Sequence, residues 1–296
     1  MQEMIIRLRD MVERHCAGSA VRTVVPGLMF FREEAPTMPA EVLYDPRFCI
    51  IVQGAKQVVL CDRVFNYDAR NYMVTAVDLP VTGQVTLATS DEPYLALCLT
   101  LDPGQIAELL LDVQDDELKH GPLCPSCMSV SPLTAEILDP VTRLVTLVER
   151  PQDIPVLLPL FQRELLFRLL QGPQGYVLRQ IATSGSNLSQ INRAMHWIRD
   201  HYREPFDIGS VARIAGMSPS SFHRHFRSAT MMSPLQYRTR LRLQDARRRL
   251  MQGRADAAEV AFAVGYESPS QFSRDYRRMF GHPPVRDVSR IRALSA

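Results

Sequence analysis

No stretch of the chain approaches the roughly eighteen uninterrupted apolar residues that a membrane-spanning helix needs, so no membrane partner is expected. The opening residues, MQEMIIRLRDMVERHC, are amphipathic and lack the compact apolar core and small-residue cleavage site of a secretion signal. The expectation is a cytoplasmic protein. Its 6 cysteines are too few for a disulfide scaffold and should be reduced in that compartment. Histidine is missing altogether between Gly27 and Asp102, and His15 and His120 fall outside the strands expected there. Without imidazoles on those strands, a metal-dependent barrel enzyme is not expected. Nucleophile-elbow, P-loop and dinucleotide fingerprints are also missing, so the chain is read as neither an enzyme nor a cofactor carrier.

Lysine is absent from residues 193–296, where all 19 basic side chains are arginines set against 9 acidic ones. Residues 1–192 hold 15 basic and 23 acidic side chains, so the formal net charge of +2 conceals an acidic part and a strongly basic one. Arginine presents a planar fork that matches phosphates and guanine edges. Such an imbalance suggests a polyanion-binding module attached to something else.

The 296 residues suffice for two domains of ordinary size. Over residues 24–100, short runs rich in β-branched and aromatic residues alternate with Gly, Pro, Asp and Asn. The runs are Gly27–Phe31, Phe48–Gln53, Gln57–Leu60, Tyr72–Val77, Gln84–Ala88 and Tyr94–Thr100, a spacing that predicts a small sandwich or barrel. A helix is expected over Leu101–Val113, and a polar loop or linker over residues 114–133. Helical periodicity then returns, with Val156, Leu157, Leu160, Leu165, Leu166, Leu169 and Leu170 suited either to an intradomain core or to a dimer interface. The expected division is a barrel over 1–113, a linker and helical packing region over 114–188, and an all-α domain over 189–296. The fold class is thus α+β in two domains.

The sharpest signal is an internal repeat. Residues 207–234 and 256–284 share Ala212 with Ala261, Gly216 with Gly265, Ser218 with Ser268, Phe222 with Phe272 and Phe226 with Tyr276. Each copy is a short helix ending at a glycine, then a Ser-Pro start for a second helix. Aromatics four apart lock that second helix down. This is the logic of the helix-turn-helix.

With the aromatics inward, Ser220, Ser221, Arg224 and Arg227 face outward in the first unit, with His223 on the flank. In the second, Ser270, Gln271, Arg274 and Arg277 face outward, with Ser273 on the flank. These ten are candidates for reading base edges, and Arg238, Arg240 and Arg278 are candidates for phosphate contact. The arginine-rich helix between the units, Pro234–Met251, is long enough to space two recognition helices along successive major-groove segments.

These residues carry a family resemblance. ARIAGMSPSSFHRHFR at Ala212–Arg227, SPLQYRTRLRLQDARRRL at Ser233–Leu250 and EVAFAVGYESPSQFSRDYRRMFGHPP at Glu259–Pro284 resemble the AraC/XylS family of bacterial transcription regulators. Two departures stand out. Met231 or Met232 replaces the family glycine before the first Ser-Pro, and Asp287 stands where an aromatic is frequent. Tyr44–Leu60, Phe65–Val81 and Glu92–Asp102 are similar to the regulatory domain of one branch of that family. The resemblance implies a cupin-like barrel, double-stranded promoter DNA and RNA polymerase as partners, and effector sensing or homodimerisation by the N-terminal part.

What the barrel senses is left open by the residues. Its histidine-free, mostly apolar strands suit a small organic effector. Cys49, Cys61 and Cys98 in or beside those strands would suit thiol oxidation or electrophile capture, and the Cys124–Cys127 pair would suit a dithiol switch or, with His120, part of a metal site. A barrel used only for protein contacts is the third reading.

Overall fold

The computed structural model describes residues 1–113, 127–253 and 256–295, with side chains through residue 292. Cys124 and His120 lie outside the described residues. The chain divides into two compact units, one of Met1–Asn192 with Ser228–Met231, the other of Arg193–Arg227 with the residues from Met232 onward.

In the first unit, helix α1 (Gln2–His15) precedes nine strands: β1 (Ala20–Arg22), β2 (Leu28–Glu33), β3 (Ala40–Tyr44), β4 (Arg47–Gln53), β5 (Ala55–Leu60), β6 (Arg63–Asp68), β7 (Asn71–Thr75), β8 (Leu79–Leu87) and β9 (Tyr94–Thr100). Helix α2 (Pro103–Leu110) follows, its first turn capped by the Asp102 carboxylate, which accepts from the Gly104 amide at 2.8 Å. A tenth strand, β10 (Met128–Pro132), completes a six-stranded antiparallel sheet in the order β1-β2-β9-β4-β7-β10. The other sheet is β3-β8-β5-β6. The barrel is therefore open, its strands divided between two sheets.

Alternation along the central strands sorts residues onto two faces. Phe48 and Ile50 of β4 pair in register with Leu99 and Leu97 of β9, and α1 packs across this side with Leu8, Met11 and Val12 buried. The opposite face carries Cys49 against Cys98 and Ile51 against Ala96. Gly54, with φ of 83°, turns the chain from β4 into the second sheet, where an added Cβ would lie 2.5 Å from the Leu87 carbonyl oxygen.

The region expected to be a loop over residues 114–133 contains β10, which pairs with β7 from Met128 opposite Thr75 to Pro132 opposite Asn71. Its Ser-rich sequence hid it. The strand sits on the edge, where proline is tolerated, and Ser131 accepts a hydrogen bond from Gln174 at 2.7 Å. Helices α3 (Ala135–Thr146), α4 (Ile154–Gln171) and α5 (Gly175–Ala182) close the unit around Leu144, Leu165, Leu169 and Leu178. Val156 and Leu160 of α4, expected to pack, are 68% and 57% exposed.

Helix α6 (Asn187–His201) leads into the second unit, made of α7 (Ile208–Ile214), α8 (Pro219–Thr230), α9 (Pro234–Met251), α10 (Ala257–Ala263), α11 (Pro269–Phe280) and α12 (Pro284–Ser295). The two repeats turn alike. In the first, Met217 N–H donates to Ala212 and Gly216 N–H to Arg213; in the second, Tyr266 donates to Ala261 and Gly265 to Phe262. Both glycines hold left-handed backbone, φ of 69° and 90°. Met231 also takes positive φ, 63°, at the end of α8, as Gly281 does at 79° after α11. The methionine thus adopts the conformation its family glycine would supply.

Helix α9 runs through the centre of this unit. Arg238 and Arg242 both donate from Nε to the Tyr202 carbonyl, at 2.9 and 2.6 Å. Asp245, 7% exposed, accepts from the Tyr202 hydroxyl, Arg203, Arg248 and Arg249. Burial opposes its ionisation, but the hydrogen bonds from Arg248, Tyr202 and Arg249 prevail and hold the carboxyl at about 2. Near the C-terminus, the buried Asp287 accepts from Arg247 at 2.9 and 3.1 Å and from the Tyr276 hydroxyl at 3.0 Å. The aspartate that departs from the family pattern thereby ties α12 to α9 and α11.

Two stability predictions follow from this geometry. G216A should cost about 1–2 kcal/mol from backbone strain alone, because nothing lies within 4 Å of the added methyl. G265A should cost clearly more, since its methyl would meet the Arg203 carbonyl oxygen at 2.3 Å; equal losses in urea unfolding of the two variants would contradict this. Asp245 has a depressed folded-state pKa, so its contribution is complete above the ordinary carboxylate value and lost as pH falls towards about 2. D245N should therefore lose roughly 2 kcal/mol at neutral pH and flatten the acid limb of the stability profile.

Candidate nucleic-acid interface

The two second helices of the repeats, α8 and α11, are built in the same way. Asp207 caps α7, accepting from Ser210 N–H at 2.7 Å, and Asp256 caps α10, accepting from Glu259 N–H at 2.8 Å. Ser218 and Ser268 each accept at 3.4 Å from the amide three residues on, at Ser221 and Gln271. Ala212 and Ala261 are fully buried, which lets the helices of each pair approach closely. Edge-to-face rings then fix each second helix: Phe222 to Phe226 at 5.4 Å and Phe226 to Tyr237 at 5.5 Å in one copy. In the other, Tyr266 to Phe272 lies at 5.4 Å and Phe272 to Tyr276 at 5.5 Å.

With those rings buried, the opposite faces are free for contact. On α8, Ser220, His223, Arg224 and Arg227 are exposed and Ser221 is half-buried; Arg224 lies 3.4 Å from the His225 ring. On α11, Ser270, Gln271, Arg274 and Arg277 are exposed and Ser273 is half-buried. Arg278 pairs with Asp275 at 2.9 Å while most of its side chain stays in solvent. Arg240 is half-buried.

Arg238 is placed differently from the expectation that it contacts phosphate. Its side chain lies over the Phe206 ring at 5.0 Å and donates to the carbonyls of Tyr202 and Glu204. Burial lowers its pKa to about 10, and its donors are spent on holding α9 in place. Periodicity could not separate it from its exposed neighbours, because arginine is seldom placed in a core.

The barrel holds a second group of chemically capable side chains, only partly visible in the sequence. Lys56 of β5 reaches across to the six-stranded sheet, its Nζ 5.7 Å from the Tyr44 ring and 6.0 Å from the Tyr94 ring. Burial works against its charge, but the phenols of Tyr94 and Tyr44 outweigh that and raise its pKa. Tyr67, in register with Lys56, is buried, and its phenol is pushed up by burial. Gly83 lies beneath, where an added Cβ would come 3.4 Å from the Lys56 Cε. The interior is thus more polar than the apolar lining expected from strand composition. One signal was available: Lys56 is one of two lysines in the whole chain.

Of the five cysteines expected as thiol candidates, Cys49 is buried and faces the partly accessible Cys98 across the strands. Cys61, at positive φ of 53°, is partly exposed at the β5–β6 turn, and Cys127 is buried with its thiol pushed up to about 12. Cys124 lies outside the described residues, so its pairing with Cys127 is not described. Among the described residues no cluster of three or more metal-ligating side chains occurs, and no helix is long and apolar enough to cross a membrane.

Comparison with known proteins places this architecture. Residues 24–177 match the family model of the AraC-type transcriptional regulator N-terminus, and residues 211–288 match a helix-turn-helix domain. The HTH-type transcriptional activator RhaS of Salmonella typhimurium is 33% identical over 153 residues, 51% of this chain and 54% of that protein. RhaS of Pectobacterium carotovorum is 32% identical over 105 residues, 36% of this chain and 38% of that protein. The chain thus spans about half or less of these curated relatives. Among solved structures, an apo variant of ToxT from Vibrio cholerae has a TM-score of 0.57 at 12% identity, covering 90% of this chain and 98% of its own. ToxT with bound unsaturated fatty acid has a TM-score of 0.53 at 11% identity, covering 88% and 93%. These two share the fold. With the N-terminal model covering more than half of its length, and its repeated helix-turn-helix units described above, the chain belongs to the AraC/XylS family of transcriptional regulators.

Proposed function

We propose that the protein binds specific promoter DNA through both helix-turn-helix units and regulates transcription, with its N-terminal unit responding to a small organic effector. The observation that carries the DNA reading is the pair of similarly braced helices, α8 and α11, presenting exposed Arg224 and Arg227 on one and Arg274, Arg277 and Arg278 on the other beside hydroxyl or amide side chains. The base-reading set is Ser220, Ser221, His223, Arg224 and Arg227 on α8, with Ser270, Gln271, Ser273, Arg274 and Arg277 on α11. Arg240 and Arg278 are assigned to phosphate; Arg238 acts in the scaffold. Activation is the mode suggested by the name of the RhaS relatives, HTH-type transcriptional activators; contact with RNA polymerase, in the cytoplasm, is proposed with it. Support for an effector comes from the enclosed Lys56–tyrosine group and from the fatty acid bound by the structurally similar ToxT. A ligand acts on DNA binding only through unequal affinity for two states of the protein.

Selection of duplexes by the intact protein tests this. R224A and R274A should each relax base preference at separate positions of the recovered site, at about 1–3 kcal/mol per lost bidentate contact. R240A and R278A should weaken binding uniformly and reduce the salt dependence by about one unit of slope each. A recovered site unchanged in both R224A and R274A would contradict the assignment.

Self-association is proposed for the first unit. Val156 and Leu160 lie one helical turn apart on α4, and both are exposed beside Pro155 and Pro159, leaving an apolar strip on the first half of the helix. Sedimentation at micromolar concentration should show a homodimer that V156E/L160E converts to monomer. A monomeric parent protein would remove the proposal.

A further inference from the structure

Within the barrel, Cys49 and Cys98 stand directly opposite one another on β4 and β9, the two central strands of the six-stranded sheet. Opposed residues of antiparallel strands have Cα atoms about 4.5–5.5 Å apart, inside the roughly 4.4–6.8 Å that a disulfide spans. Each thiol is close enough to perturb the ionisation of the other. The register thus places the two cysteines within the backbone separation that a disulfide requires.

The two sulfurs are not equivalent. Cys49 is 3% exposed and Cys98 is partly accessible. Two cations face Cys98. Arg47 lies on the same face of β4, anchored by its Nε donating to Asp45 at 2.6 Å, and Lys56 reaches over from the opposite sheet. The neighbouring Cys49 thiol, with Arg47 and Lys56, lowers the Cys98 pKa against burial and against the more distant Asp45. The remaining groups around the pair are the phenols of Tyr44, Tyr67 and Tyr94, all buried. Burial instead pushes the Cys49, Cys16 and Cys127 thiols up. The arrangement is an accessible, cation-flanked attacking thiol with a second thiol held in contact behind it.

We propose that Cys49 and Cys98 form a reversible dithiol–disulfide couple oxidised by small hydroperoxides, with Cys98 attacking and Cys49 resolving. The Cys98 thiolate attacks the outer oxygen of ROOH; the O–O bond breaks, and the departing alkoxide is protonated to ROH. The Cys98 sulfenic acid formed is then attacked by the Cys49 sulfur, which makes the S–S bond. Hydroxide leaves and takes the Cys49 proton as water. Two thiols are oxidised and one peroxide is reduced. Lys56 and Arg47 act as positioning residues that hold Cys98 as thiolate. The couple is a property of the barrel strands and stands whether or not the barrel also binds a reversible effector.

The test uses the intact reduced protein treated with hydrogen peroxide, then alkylated and mapped by mass spectrometry. The expected product is a Cys49–Cys98 linked peptide pair, two hydrogens lighter than the dithiol and restored by dithiothreitol. In C49S, Cys98 should accumulate as sulfenic acid trapped by dimedone, and in C98S the Cys49 thiol should persist. K56Q should slow Cys98 oxidation several-fold and move the midpoint of its pH–rate profile upward, a shift that a merely structural role for Lys56 would not produce. Oxidation of Cys98 no faster than that of Cys16 and Cys127 in the parent protein would overturn the proposal. So would a disulfide that links Cys98 to any partner other than Cys49.

Discussion

The guanidinium groups of Arg238 and Arg242 converge on the carbonyl of Tyr202, and the placement of both helix-turn-helix units depends on that junction. It fixes the register of α9, and α9 in turn holds each repeat by a different contact. Tyr237 stacks edge-on against Phe226 of the first unit, and Arg247 meets Asp287, which also accepts from Tyr276 of the second. A charge buried this way is useful only when its donors are matched, because breaking one partner leaves the other uncompensated. The central helix is accordingly rich in arginine for two unrelated reasons. Some of its arginines organise the fold from within, while Arg248 donates to Asp245 and keeps most of its side chain in solvent. At about 1.5 Å per residue, its 18 residues span about 27 Å, comparable with the roughly 34 Å of one DNA turn.

The barrel presents the converse arrangement, with a few polar groups held inside an apolar shell. Lys56, three tyrosines and two cysteines lie between sheets whose outer residues, among them Phe48, Ile50, Leu97 and Leu99, are buried against helices or neighbouring strands. Gly83 lies beneath Lys56, where an added Cβ would just touch the lysine's Cε at 3.4 Å. Such enclosed polar groups are costly to assemble unless mutually satisfied, and here cation, phenol and thiol satisfy one another. The same residues underlie both the proposed effector recognition and the proposed thiol chemistry, so neither proposal calls for added structure.

The repeats were legible because every constraint on them is local. A positive-φ glycine, a Ser-Pro helix start and aromatics four apart each leave a mark within a few residues, and two copies that differ by one residue in the turn reinforce one another. Of the two methionines that the residues left open for the family glycine, Met231 is the one with left-handed backbone. Arg238 was misjudged because helical periodicity places a residue on a face but cannot say that Tyr202 and Glu204 offer carbonyls to it. Strand β10 escaped notice because its identity comes from pairing with β7, more than fifty residues earlier, not from its own serines. The facing of Cys49 and Cys98 depends on strand register, and the approach of Lys56 depends on how two sheets oppose one another. Composition records neither.

The central claim is that two similar units in one chain read two successive segments of a DNA duplex. Hydroxyl-radical footprinting of the intact protein on its selected site measures this directly. The account predicts two protected patches about one helical turn apart, one weakened selectively by R224A and the other by R274A. A single protected patch that R274A leaves intact would contradict it, because the second unit would then be bracing the fold without touching DNA.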